Sequence, residues 1–170
     1  SASLKKLDLS RNRLGHEGAN ALARGLVSAS LTSLNLRNNS IKDAGAIAIA
    51  TALKDSQVCK MADLNLRNND IGLEGAKAIA EFCAVSASLT SVDVGHTSID
   101  QEQALRLVSI FKEKDQMKSV GLAGCSLGVK GAKAVAEYAR VSASLTVLNL
   151  QWNDIGPEGA KSLADALKVN

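Results

Sequence analysis

Residues 61–83 read MADLNLRNNDIGLEGAKAIAEFC, and this stretch decides the fold. Leu64 and Leu66 alternate with polar residues, the period of a short strand with one buried face. The period then changes. Ala76, Ile79, Ala80 and Cys83 fall at i, i+3, i+4 and i+7, a single apolar stripe on a helix. Between the two patterns stand Asn69, Ile71, Gly72 and Gly75, the residues of a tight connection. One strand and one helix of this length cannot bury both apolar faces alone, so the unit must be repeated.

It is repeated along the whole chain. The strand patterns are Leu4-Leu7-Leu9-Asn12-Leu14, Leu31-Leu34-Leu36-Asn39-Ile41, Met61-Leu64-Leu66-Asn69-Ile71, Leu89-Val92-Val94-Thr97-Ile99, Met117-Val120-Leu122-Cys125-Leu127 and Leu145-Leu148-Leu150-Asn153-Ile155. Their starts are 27, 30, 28, 28 and 28 residues apart. A helical stripe follows each one. The first is Ala19, Leu22, Ala23, Leu26, and the last is Ala160, Leu163, Ala164, Leu167. The 170 residues are therefore read as one domain of six units: 1–27, 28–57, 58–85, 86–113, 114–141 and 142–170.

Composition agrees with a core made of many small aliphatic groups. Aromatics are 2% of the residues and there is one proline. Glycine pairs such as Gly15/Gly18, Gly72/Gly75, Gly128/Gly131 and Gly156/Gly159 flank the strand-to-helix turn, offering positive φ and close backbone approach. Pro157 falls at the start of the last helix, where a missing N–H costs nothing. Asn12, Asn39, Asn69 and Asn153 offer both donors and acceptors to backbone groups left unpaired where the strand ends. Thr97 and Cys125 replace them with less bonding capacity, and Asp100 and Gln103 replace glycines, so the fourth turn is expected to be irregular.

Lysine and arginine number 20 against 17 acids, a net charge of +3, which gives no reason to expect nucleic acid. No apolar run approaches the roughly 20 residues of a membrane span. Three cysteines, Cys59, Cys83 and Cys125, have no C-x-x-C spacing. A reducing, cytoplasmic compartment is expected, with no metal and no cofactor.

The pattern L-x-x-L-x-L-x-x-N-x-[LI]-G-x-E-G-A-x-x-[LI]-A resembles the ribonuclease-inhibitor class of leucine-rich repeats, over essentially the whole chain. Repeats 2, 4 and 6 open on Ser-Ala-Ser-Leu-Thr, while repeats 3 and 5 open on Met61 and Met117 and carry Phe82 and Tyr138 at one helix position. That pairing is similar to the alternation in ribonuclease inhibitor. The resemblance implies an α/β solenoid: a horseshoe with parallel strands on the concave face and helices on the convex face. Similar repeats occur in cytosolic immune sensors and in activators of the Ran GTPase. Strands stack about 4.8 Å apart and helices about 8–10 Å apart, so such an array must curve.

A curved sheet offers its outward strand residues to a partner. These form rows: Lys6, Ser33, Asp63, Ser91, Ser119, Val147; then Asp8, Asn35, Asn65, Asp93, Gly121, Asn149. Two more rows are Ser10, Arg37, Arg67, Gly95, Ala123, Gln151 and Arg11, Asn38, Asn68, His96, Gly124, Trp152. The expected partner-binding residues are Asp8, Arg11, Asn35, Arg37, Asn65, Arg67, Asp93, His96, Asn149 and Trp152. Arg11, Arg37 and Arg67 either grip acidic groups or pair with Asp8, Asp63 and Asp70. Trp152 is either a binding anchor or a residue packed under a further repeat. Gly95, Gly121, Ala123 and Gly124 form a flat patch that either admits a bulky ligand side chain or reflects drift.

Nothing assembles into a catalytic site. His16 and His96 lie several repeats apart, and Asp93 is near His96, but the register supplies no nucleophile. The glycine-rich run Gly121–Gly131 lacks the spacing of a phosphate-binding loop. The reading is therefore a non-enzymatic module that binds a protein partner on its concave face. Stimulation of a partner GTPase, as in the Ran activators, is the alternative. Neither end carries a recognisable polar cap. Apolar surface beside Leu7/Leu9 and Leu148/Leu150 should thus be exposed, to be covered by further repeats of a longer chain or by self-association.

Overall fold

The structure, a computed structural model, describes residues 4–169. Strand and helix alternate six times: β1 (Lys6–Asp8), α1 (Gly15–Leu26), β2 (Ser33–Asn35), α2 (Lys42–Asp55), β3 (Asp63–Asn65), α3 (Leu73–Val85), β4 (Ser91–Asp93), α4 (Gln101–Lys112), β5 (Ser119–Gly121), α5 (Gly128–Val141), β6 (Val147–Asn149) and α6 (Gly156–Leu167). The strands form one parallel sheet in sequence order, β1 to β6. Each position pairs with its equivalent in the next repeat, as in Leu34↔Leu64 and Leu64↔Val92. The α/β solenoid expected from the repeat is the one observed.

The core lies between sheet and helices. Leu34, Leu36, Leu64, Leu66, Val92, Val94, Val120 and Leu122 line its strand side, and Ala46, Ile49, Ala76, Ile79, Leu107 and Val135 line its helix side. Phe82 and Tyr138 are both buried at their shared helix position. At the ends, burial is incomplete as expected. Leu7, Leu9, Leu148 and Leu150 are only partly buried. The stripe of α6 is less buried than its sequence suggested: Leu163 is half-buried, and Ala160, Ala164 and Leu167 are exposed, α5 being the one helix packed on α6 among the described residues.

The asparagines form the ladder. Asn69 Oδ1 accepts from the N–H of Asn39 (2.9 Å) and Ile41 (3.4 Å), while its Nδ2 donates to the carbonyls of Leu36 (2.8 Å) and Leu66 (2.9 Å). Asn39 serves repeat 1 and Asn153 serves repeat 5 in the same way. Thr97 and Cys125 each reach the Val94 carbonyl instead.

Helix spacing is set by a glycine. A Cβ on Gly45 would lie 2.8 Å from Ala19 Cβ, and one on Gly159 would lie 2.7 Å from Ala132 Cβ, so adjacent helices close up only where this position is bare. Repeat 4 has Gln103 there, buried between helices, and α4 packs less closely on its neighbours than the other helices do. Its start is held by Asp100, whose carboxylate accepts from Gln103 N–H at 2.9 Å, an ordinary N-cap. The expected irregularity is real and has these two causes. Gly72 corrects the glycine reading: its φ is −98°, so it needs no left-handed backbone. It serves instead as a close-approach position for Asp43 of repeat 2.

Candidate functional site: the concave face

The second outward row is tied to its own backbone. Asp8 Oδ1 accepts from Ser10 N–H (2.8 Å), Asn35 from Arg37 (3.1 Å), Asn65 from Arg67 (3.0 Å), Asp93 from Gly95 (2.8 Å) and Asn149 from Gln151 (3.2 Å). This contact, from a side-chain oxygen to an N–H two residues on, bends the chain out of the strand. Five of the expected partner-binding residues therefore have a structural task that sequence reasoning missed. The bond to Ser10 N–H, with its hydroxyl and Asn35, also holds the Asp8 carboxyl below its ordinary range. Asn35 Nδ2 donates to Asp8 Oδ2 at 3.0 Å, linking two strands.

The fourth row sits at a corner. Arg11, Asn38, Asn68, His96, Gly124 and Trp152 all have φ between +50° and +61°. This left-handed region suits glycine and asparagine, and costs a bulky residue. Trp152 is 81% exposed there.

The arginines are less free than expected. Arg67 is largely buried, with its Nη1 3.9 Å from Asp93 Oδ2. Its acid is thus on the following strand and is not Asp63 or Asp70, because the sheet register brings Asp93 beside it. Arg37 makes no ion pair among the described residues. The Nε of both arginines is buried without a hydrogen-bond partner.

The flat patch is not an opening. Gly95, Gly121 and Ala123 are buried. A Cβ on Gly121 would fall on the Asp93 carboxylate, and one on Gly124 would lie 2.9 Å from His96 Nδ1. Asp93 and His96 lean across and fill the space, so the patch is not a ligand pocket. Asp93 itself turns to Gly95 and Arg67, the contacts that replace the expected approach to His96.

On the convex side, charges pair locally. Lys54 meets Glu81, Lys77 meets Glu74, Arg140 meets Glu137 and Lys168 meets Asp165, at 2.7–3.0 Å. No metal-binding cluster occurs among the described residues, and no described helix is long and apolar enough to cross a membrane. Cys83 and Cys125 are buried in the core, and burial pushes both thiols up to about 12.

The family model described as Leucine Rich repeat matches residues 1–23, 27–50, 59–80 and 141–164, more than half of the chain. The unmatched units include repeats 4 and 5, which carry Thr97, Cys125 and the Asp100/Gln103 turn. A comparison with curated proteins finds no match. Among solved structures, the fold is similar to the tropomodulin C-terminal domain of Caenorhabditis elegans, with TM-score 0.69 and 18% identity, covering 90% of this chain and 91% of that one. It is also similar to leiomodin-1 actin-binding site 2, with TM-score 0.61 and 16% identity, covering 88% of each chain.

Proposed function

Because the chain belongs to the leucine-rich-repeat family, we propose that it is a protein-interaction module that holds a protein partner across its concave sheet. One observation carries the reading. Trp152 is 81% exposed at a left-handed corner of the concave edge, where repeats 2 and 3 have asparagine, repeat 5 has glycine, and repeats 1 and 4 have Arg11 and His96. A bulky exposed ring in a conformation that disfavours it is a cost to the fold. A hot-spot role would offset that cost in a complex. Val147, 54% exposed, adds apolar surface on the same repeat. The same architecture carries an actin-binding site in leiomodin-1, which supports a protein as the ligand.

The test is affinity capture with the wild-type chain, Trp152→Asn and a convex variant, Lys133→Ala/Lys161→Ala. Partners retained by the wild type and the convex variant but lost from Trp152→Asn support the concave reading. Loss from the convex variant alone overturns it.

A further inference from the structure

We propose that Arg37 and Arg67 together form a seat for a single carboxylate, an aspartate or glutamate side chain of the bound partner. The inference rests on the concave-face reading and names the chemistry of one part of it.

The two residues occupy equivalent positions on adjacent strands. Leu36 N–H bonds to the Asn65 carbonyl at 2.8 Å and Asn38 N–H to the Arg67 carbonyl at 3.0 Å, so the register of β2 and β3 continues through the arginines. Their backbones are therefore one strand spacing apart, about 4.8 Å. Both main chains are fixed further by the bonds from Arg37 and Arg67 N–H to Asn35 and Asn65. The two side chains thus start from equivalent points on a rigid base.

The protein does not satisfy them. Among the described residues Asp93 is the one carboxylate paired with either, and its Oδ1 accepts from Gly95 N–H at 2.8 Å. Its Oδ2 stands 3.9 Å from Arg67 Nη1, an attraction but too long for a hydrogen bond. Arg37 has no ion pair among the described residues, and each Nε is a buried donor without an acceptor. Such donors are rare in folded proteins because burial without a partner is unfavourable. A carboxylate approaching the side of a guanidinium takes one N–H from Nε and one from Nη, so turning each arginine toward such a group would satisfy the orphaned atoms.

Charge selects the class of anion. Arg37 and Arg67 contribute two positive charges and Asp93 one negative charge, leaving one to be neutralised. A carboxylate does that. A phosphate dianion overshoots and meets Asp93.

The experiment follows the arginine Nε–H resonances of the nitrogen-15-labelled chain by NMR. Three probes are titrated: the peptide acetyl-Gly-Glu-Gly-amide, its glutamine counterpart, and inorganic phosphate. Saturable shifts of the Arg37 and Arg67 signals together, with the glutamate peptide only, are expected. Arg37→Gln should weaken the response at Arg67 by tenfold or more. Arg37→Lys should not restore it, because lysine keeps the charge but has no paired donors. Equal responses to glutamate and glutamine, stronger saturation by phosphate, movement of one arginine alone, or no shift at the solubility limit would each overturn the seat. Retention of partner by the wild type and its loss from Trp152→Asn would still stand in those cases. Failure here is thus separable from failure of the concave reading.

Discussion

Asp43, in the first turn of α2, caps the helix of the next repeat through Gly72: its Oδ1 accepts from Gly72 N–H at 2.7 Å, and the same oxygen accepts from Gly75 N–H at 2.8 Å. α3 has no side-chain cap of its own. A carboxylate at a helix start satisfies unpaired N–H groups and faces the positive end of the helix dipole. Asp43→Ala should therefore cost about 1 kcal/mol, within the usual range for a lost cap, and Asp43→Asn much less. Chemical denaturation of the three proteins checks this. Equal midpoints for Ala and wild type would remove the cap from the account.

The ladder predicts a gradient along the chain. Asn69 serves the backbone of repeat 2 as well as its own, and lies fully buried. Asn12 has no preceding described strand, and its Nδ2 bonds within repeat 1, to Leu9 (3.0 Å) and Ser10 (3.1 Å). Asn69→Ala should leave stranded buried groups worth about 1–3 kcal/mol, whereas Asn12→Ala should cost distinctly less. Thermal melts of both variants decide the point, and a larger loss from Asn12→Ala would contradict the ladder.

Some of this was legible in the sequence for a physical reason. The L-x-x-L-x-L period dictates which face of each strand is buried, so Leu64, Leu66 and their equivalents could be placed without coordinates. The ladder asparagines could also be placed, because a strand ending in a sharp turn needs an amide there. The site was less legible. Asp8, Asn35, Asn65, Asp93 and Asn149 read as polar surface, and nothing in the linear pattern distinguishes surface from a turn-forming bond to the residue two ahead. The one available signal was their shared type, since aspartate and asparagine at five of six positions favour such turns. Asp43 and Asp93 act on repeats 3 and 5, across 29 residues in the first case. Those contacts exist only after repeats stack.

The buried thiols give a pH prediction. An unfolded cysteine titrates near 9.0, while Cys83 and Cys125 are pushed up to about 12 by burial, with Asp93 adding to the effect at Cys125. Between those values the unfolded chain releases protons that the folded chain retains. Their contribution is therefore fully present below about pH 9 and is lost as pH rises toward 12. Denaturation midpoints should fall across that window. At neutral pH an aromatic disulfide reagent should modify Cys59, which borders the cleft between the ends of α2 and α3, well before the other two. Equal modification rates for all three thiols in the native state would be inconsistent with this packing.

Trp152 allows stability and binding to be separated. Its φ of +57° is a conformation that costs a non-glycine residue roughly 1–2 kcal/mol, with asparagine the better tolerated type. The ring is 81% exposed, so removing it sacrifices little packing. Trp152→Asn should accordingly leave stability unchanged or raise it by up to about 1 kcal/mol. A structural tryptophan would do the opposite, since truncating a buried ring costs about 3–5 kcal/mol. As the sole tryptophan, it also reports on itself. Its emission in the free protein should lie close to that of the amino acid in water and be readily quenched by iodide. A blue shift and protection from quenching should accompany partner binding. The combination that supports a binding anchor is a variant at least as stable as wild type that has lost its partner. A destabilised variant with a blue-shifted parent spectrum would assign the ring to packing and remove the observation on which the concave reading rests.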